Sequence, residues 1–143
     1  MLFKRINKDL AETIFSILKN VSGSTITAGY SAVFDVSASV DGVRVTQASS
    51  TDLQAFAGVA DQNIANNAYG RVQVYGYRSS AYIYSSTGSS AAGDILTVVA
   101  DEWGLTPAAT SGSAKSFGFL CEAVSASSSS QYHTTAKIFV RAL

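Results

Sequence analysis

One histidine and one cysteine bound the chemistry open to this chain of 143 residues. A metal site built from several imidazoles is excluded, because His133 is alone and such sites need three or four converging ligands. A Ser-His-Asp arrangement needs a nucleophile beside a base that a third group orients. His133 follows a serine-rich run at Ser125–Ser130, so it is expected to stand exposed and not poised as a general base. Cys121 lies in the apolar run Phe117–Ala123 and is expected as a small buried core residue. It lacks a partner for an intramolecular disulfide, and no base is placed to activate it as a nucleophile.

The acids are equally unspecific. Asp101 and Glu102 are adjacent, and Asp35 and Asp41 flank an expected hairpin. Two carboxylates could serve glycoside hydrolysis if they faced one another, but ten acids in the chain make such pairs by chance. Asp61, Asn63, Asn66 and Asn67 carry oxygens that suit calcium, yet their spacing does not match the EF-hand loop and they read as a loop. No Walker loop or dinucleotide fingerprint occurs among the glycines. The expectation is no catalytic residue, no metal and no cofactor.

The aromatic residues are the remaining candidates. Tyr69, Tyr75, Tyr77, Tyr82 and Tyr84 cluster in sequence. Tyr75 and Tyr77 share a strand face by the period of two, as do Tyr82 and Tyr84. Such pairs stabilise a sheet across strands, and the same arrangement could form a sugar-stacking platform.

The elements that would hold these residues are mostly strands. The spacing predicts one helix within residues 1–21, with Asn7 as cap and Leu10, Ile14, Ile17, Leu18 and Val21 as an apolar stripe. Leu2, Phe3 and Ile6 lead into it. This segment could close one end of its own domain, or form an arm that grips a neighbour. Beyond Ser22-Gly23-Ser24, β-branched and aromatic residues with frequent turn signals predict strands. These are Thr25–Val36, Val43–Ala48, Leu53–Val59, Gly70–Tyr77, Ala81–Tyr84, Asp94–Val99, Phe117–Val124 and Thr134–Arg141. Asp41-Gly42 signals a two-residue hairpin. Asp101–Pro107 reads as a loop anchored by a partly buried Trp103, and Ser85–Gly93 and Ser125–Ser130 read as exposed loops.

Composition narrows the function classes. Hydrophobic residues make up 47% and charged residues 14%, with ten basic and ten acidic side chains in balance. A neutral surface argues against general electrostatic capture of nucleic acid or an anionic membrane. No apolar stretch approaches the length of a membrane span, and no secretory signal is expected at residues 1–21. So little charge on a free monomer favours self-association. Lys4, Arg5, Lys8 and Lys19 give the first twenty residues a basic excess.

One phrase occurs in two forms. Phe56-Ala57-Gly58-Val59-Ala60 leads through a polar loop to Gly70-Arg71-Val72-Gln73-Val74-Tyr75-Gly76, with Ala92-Gly93-Asp94-Ile95-Leu96 downstream. Phe117-Gly118-Phe119-Leu120-Cys121-Glu122-Ala123 leads through the serine run to Lys137-Ile138-Phe139-Val140-Arg141. Over residues 53–143 this pattern resembles the small capsid decoration, or cement, proteins of tailed bacteriophages. The amphipathic N-terminal segment departs from that pattern. The resemblance implies a non-enzymatic virion protein, made in the host cytoplasm, that binds and reinforces the outside of a phage head. It implies the major capsid protein as partner and a homo-trimer as the assembled form, with no nucleic acid or membrane partner.

The expected architecture is mainly β, a single antiparallel barrel or sandwich over residues 23–143, with an N-terminal helix or arm over residues 1–22. Leu2, Phe3, Ile6 and Leu10 are the expected capsid anchors. A tail or head-fibre component is the nearest alternative, and a carbohydrate-binding β module using a tyrosine face is the alternative from another class.

Overall fold

The computed structural model describes residues 12–37, 42–85, 88–108, 116–125 and 132–142. Among these residues there is no helix. The strands are β1 (Ile14–Asn20), β2 (Ser31–Phe34), β3 (Arg44–Thr46), β4 (Phe56–Ala60), β5 (Tyr69–Ser85), β6 (Ile95–Val98), β7 (Leu105–Pro107), β8 (Gly118–Leu120) and β9 (Tyr132–Arg141). They form one mixed sheet in the order β1-β3-β2-β4-β5-β7-β6-β8-β9, with β5 also pairing to β1 and β9. Those two extra pairings close the strands into two circuits that share β5.

The circuits are copies of one plan. Each has a single parallel pair, β1–β3 in the first and β5–β7 in the second, and the remaining pairs are antiparallel. Their registers correspond. Ala32↔Gly58 matches Leu96↔Gly118, Phe34↔Val45 matches Val98↔Leu105, and Val59↔Gln73 matches Phe119↔Phe139. Outside the strands, the isolated bridge Ile26↔Ile64 matches Ser90↔Val124. Gly58 and Gly118 occupy the same place for the same reason. A β-carbon at Gly58 would fall on the Gln73 carbonyl oxygen, and one at Gly118 on the Phe139 carbonyl oxygen. The duplication suggested by the two phrases is therefore one of strand order and register.

Each circuit encloses apolar side chains. Leu18, Ile26, Ala32, Val45, Ala57, Ala60, Ile64 and Val72 fill the first. Ala81, Ile83, Leu96, Leu105, Leu120, Val124, Ile138 and Val140 belong to the second cluster. Fully burying one such Ile, Leu or Val contributes about 1.5–3 kcal/mol. Val33, Ala48, Phe56 and Val59 belong by sequence to the first circuit but join the second cluster. The outer face of β2 and β4 is thus the seam between the halves.

Several expectations are corrected. The helix over residues 1–21 is not seen; from Ile14 to Asn20 the chain is strand, and residues 1–11 lie outside the described residues. Phe15 and Ile17 are exposed while Leu18 and Asn20 are buried, the alternation of a strand. The sheet is mixed and not purely antiparallel. β2 and β3 pair as antiparallel neighbours, and β2 ends at Phe34; Asp41 of the expected Asp41-Gly42 turn lies outside the described residues. Gly70–Tyr77 and Ala81–Tyr84 belong to one 17-residue strand that also takes in Ser85. Its pairing with β9 shifts register between Arg78 and Ala81 and then resumes. The expected loop at Asp101–Pro107 ends in β7. Cys121 is exposed, because β8 stops at Leu120 and residue 121 begins the following bend.

Candidate functional site

Three surface features emerge from this frame. The first is a row of rings. Tyr30 packs against Trp103, with ring centroids 5.5 Å apart, and against Tyr82 at 4.9 Å. His133 packs against Tyr82 at 5.4 Å and Tyr84 at 5.1 Å. The row is set by register: Tyr84 stands opposite His133 across β5 and β9, and Tyr30 immediately precedes β2 at the seam. Burial pushes the Tyr82 hydroxyl above its ordinary value, helped by the charges of Tyr30 and Glu102. His133 is exposed, as expected, and among the described residues its ring packs on Tyr82 and Tyr84.

The second feature is an ionic cluster at the join of the two circuits. Asp61 receives Arg71 at 2.7 Å and Arg78 at 3.3 Å. Arg78 also donates to the Gln73 side-chain oxygen at 3.4 Å. Gln73 is buried, and its amide nitrogen donates to the carbonyls of Tyr75, Gly76 and Tyr77 at 3.3, 3.0 and 3.1 Å. Desolvation lowers the Arg78 pKa against the opposing pull of Asp61. Thr13, Phe15, Tyr77, Ser79 and Ser80 complete an open groove of about 310 Å³ over this cluster. Its charged groups face one another, an arrangement that holds the irregular centre of β5 in place.

The third feature is exposed apolar surface, and it falls on two faces. Phe15, Ile17 and Tyr69 line β1 and the start of β5, with Ile17 60% and Tyr69 61% exposed. Arg71 stacks over Phe15 at 5.4 Å. On the second circuit Phe119 lies 5.3 Å from Phe139 and nearly parallel to it, and Tyr75 meets Phe139 edge-on at 5.2 Å. Tyr77 stands opposite Phe139. Neither face was found from sequence as a unit, because the residues come from strands far apart in the chain.

The expected anchors Leu2, Phe3, Ile6 and Leu10 lie outside the described residues. Of the calcium candidates, Asn63 accepts from Ala28 N–H at 2.9 Å, Asn66 accepts from Gly23 N–H at 3.1 Å, and Asn67 turns the chain at φ 64°. Asp61 is committed to arginines. These oxygens organise loops. Among the described residues no group of three or more His, Cys, Asp or Glu side chains could hold a metal ion, and no helix is long and apolar enough to cross a membrane. No family model matches the chain, and no curated protein matches it.

Proposed function

We propose that this chain is a non-enzymatic virion structural protein that binds the outer surface of a phage head and reinforces it. In this reading the two strand circuits are two small barrels fused through β5, the major capsid protein is the partner, and a homo-trimer is the assembled form. The observation that carries the reading is the placement of the resemblance-bearing phrase. Its glycine, strand and loop pattern forms a β unit used twice, with Gly58 and Gly118 at equivalent close approaches. Such a unit presents surface, and repeated weak contacts on a capsid multiply into tight attachment. Segment 1–11, which carries Leu2, Phe3, Ile6 and Leu10, serves as the anchoring arm.

The test is co-sedimentation of purified protein with undecorated heads. Full-length protein is expected to saturate the heads. Protein lacking residues 1–10 is expected to keep its β-sheet circular dichroism and lose occupancy. A truncated protein that unfolds would place the arm in its own core instead. A tail or head-fibre component is the rival virion role, and binding to tails in place of heads would select it. The tyrosine platform for sugars has less support, since Tyr30 and Tyr82 each spend ring surface on two neighbouring rings.

A further inference from the structure

The repeat makes it possible to ask what covers each face in each half. Ser31, Val59, Gln73 and Phe15 form a row across β2, β4, β5 and β1. The equivalent row in the second circuit is Ile95, Phe119, Phe139 and Tyr77 across β6, β8, β9 and β5. Ser31, Val59 and Gln73 are buried. Ile95 and Phe139 are only half-buried, Phe119 is 37% exposed and Tyr77 41%.

Ser31 and Val59 are covered because the second circuit packs against that face, while Phe15 at the β1 end of the row stays exposed like its counterpart Tyr77. Ser31 N–H donates to the Trp103 carbonyl at 2.8 Å, and Tyr82 N–H to the Gly29 carbonyl at 2.9 Å. Phe56 stacks on Phe117 at 4.8 Å. The covering side is thus presented by Tyr82, Trp103 and Phe117. By register, Tyr82 corresponds to Lys19 and Trp103 to Val43 in the first circuit. There Ala57, the counterpart of Phe117, is buried, and Lys19 is half-buried with exposed apolar neighbours. Val43 is 36% exposed, and the exposed Ile17 and Tyr69 flank Lys19.

We infer that a second copy of this chain covers the Ile95–Phe119–Phe139–Tyr77 row, presenting its own Ile17, Lys19, Val43 and Tyr69 face. The contact extends between molecules the order that the two halves follow within one. It uses two different patches, so it is heterologous, and it generates a closed ring where the rotation permits or a filament where it does not. The Lys19 N–H is bonded to the Val43 carbonyl at 2.8 Å. The edge that admits Gly29 and Ser31 in the second circuit is therefore shut in the first, and the contact packs side chains without inserting a strand.

The inference rests on the self-assembly in the proposed reading but uses no capsid contact: failure of head binding leaves it standing, whereas a wild-type mass of one chain removes both this contact and the homo-trimer and leaves head binding standing. The experiment is mass by light scattering on full-length protein, Phe119→Asp, Ile17→Asp and an equimolar mixture of the two variants. Wild type is expected to be an oligomer and each variant a monomer. The mixture is expected to give a dimer and nothing larger, because each variant keeps one intact patch. A wild-type mass of one chain overturns the inference. So does an Ile17→Asp mass equal to wild type, or a mixture that stays monomeric. Circular dichroism checks folding, and Phe119→Ser with Ile17→Ser replaces any aspartate variant that unfolds.

Discussion

Gly58→Ala and Gly118→Ala form a matched pair, because the two glycines share one place in the repeated plan. At both, an added methyl meets the carbonyl oxygen of the partner strand, Gln73 for one and Phe139 for the other. The strands must separate locally, and overpacking of this kind costs about 1–3 kcal/mol. Gly58 carries two further burdens. Its φ is +143°, and the new methyl would lie 2.8 Å from Val72 Cγ1. A side chain in that backbone region adds of order 1–3 kcal/mol. The estimates are therefore about 2 kcal/mol for Gly118→Ala and about 4 kcal/mol for Gly58→Ala. At roughly 2–4 °C per kcal/mol for a domain near this size, the melting midpoints should fall by roughly 4–8 °C and 8–16 °C. Thermal unfolding followed by far-ultraviolet circular dichroism measures both. If Gly58→Ala melts no earlier than Gly118→Ala, or if either melts with wild type, the steric argument fails and with it the claimed equivalence of the two sites.

Asn20→Ala should cost about 2–3 kcal/mol, because it strands buried partners. Its amide donates to the Ser24 and Ile64 carbonyls, both at 2.7 Å, and its oxygen accepts from Ser22 N–H at 2.8 Å; urea titration reads the loss. The Glu122 carboxyl is held below its ordinary value of 4.5 by hydrogen bonds from the Lys137 backbone and side chain. A lowered folded pKa contributes stability above 4.5 that disappears as pH falls through the folded value. The gap in melting midpoint between wild type and Glu122→Gln should therefore close on acidification below 4.5, and a pH-independent gap would contradict the pairing. Cys121 should react with a maleimide in the folded state, since it is exposed. It should do so more slowly than a free thiol, because desolvation and the Glu122 charge raise its pKa.

Strand content was legible where alternation was clean. Val72 and Val74 on one face and the turn glycines around them marked the first half of β5, and Trp103 was legible as an anchor. β1 was not. Leu10, Ile14, Ile17, Leu18 and Val21 mimic a helical stripe because this strand carries apolar residues on both faces. A signal that separates the two readings is the β-branched and aromatic sequence Ile14-Phe15 with Ile17, which favours a strand. β7 was hidden by its length of three residues and by Pro107 at its end. The twin phrases were visible, but aligning them on their phenylalanines is off by one. The glycines are the equivalent residues, while Phe56 and Phe117 stack on each other across the seam. The candidate faces depend on register between distant strands, and no local pattern encodes that.

Ile14 and Arg141 both take Tyr75 as their pairing partner. The path into the fold and the path out of it flank a single residue at the middle of β5. Two interstrand spacings put those points roughly 10 Å apart. Probes placed on Ile14 and Arg141 would therefore sit close together, and the distance between them would report the closure of both circuits at once.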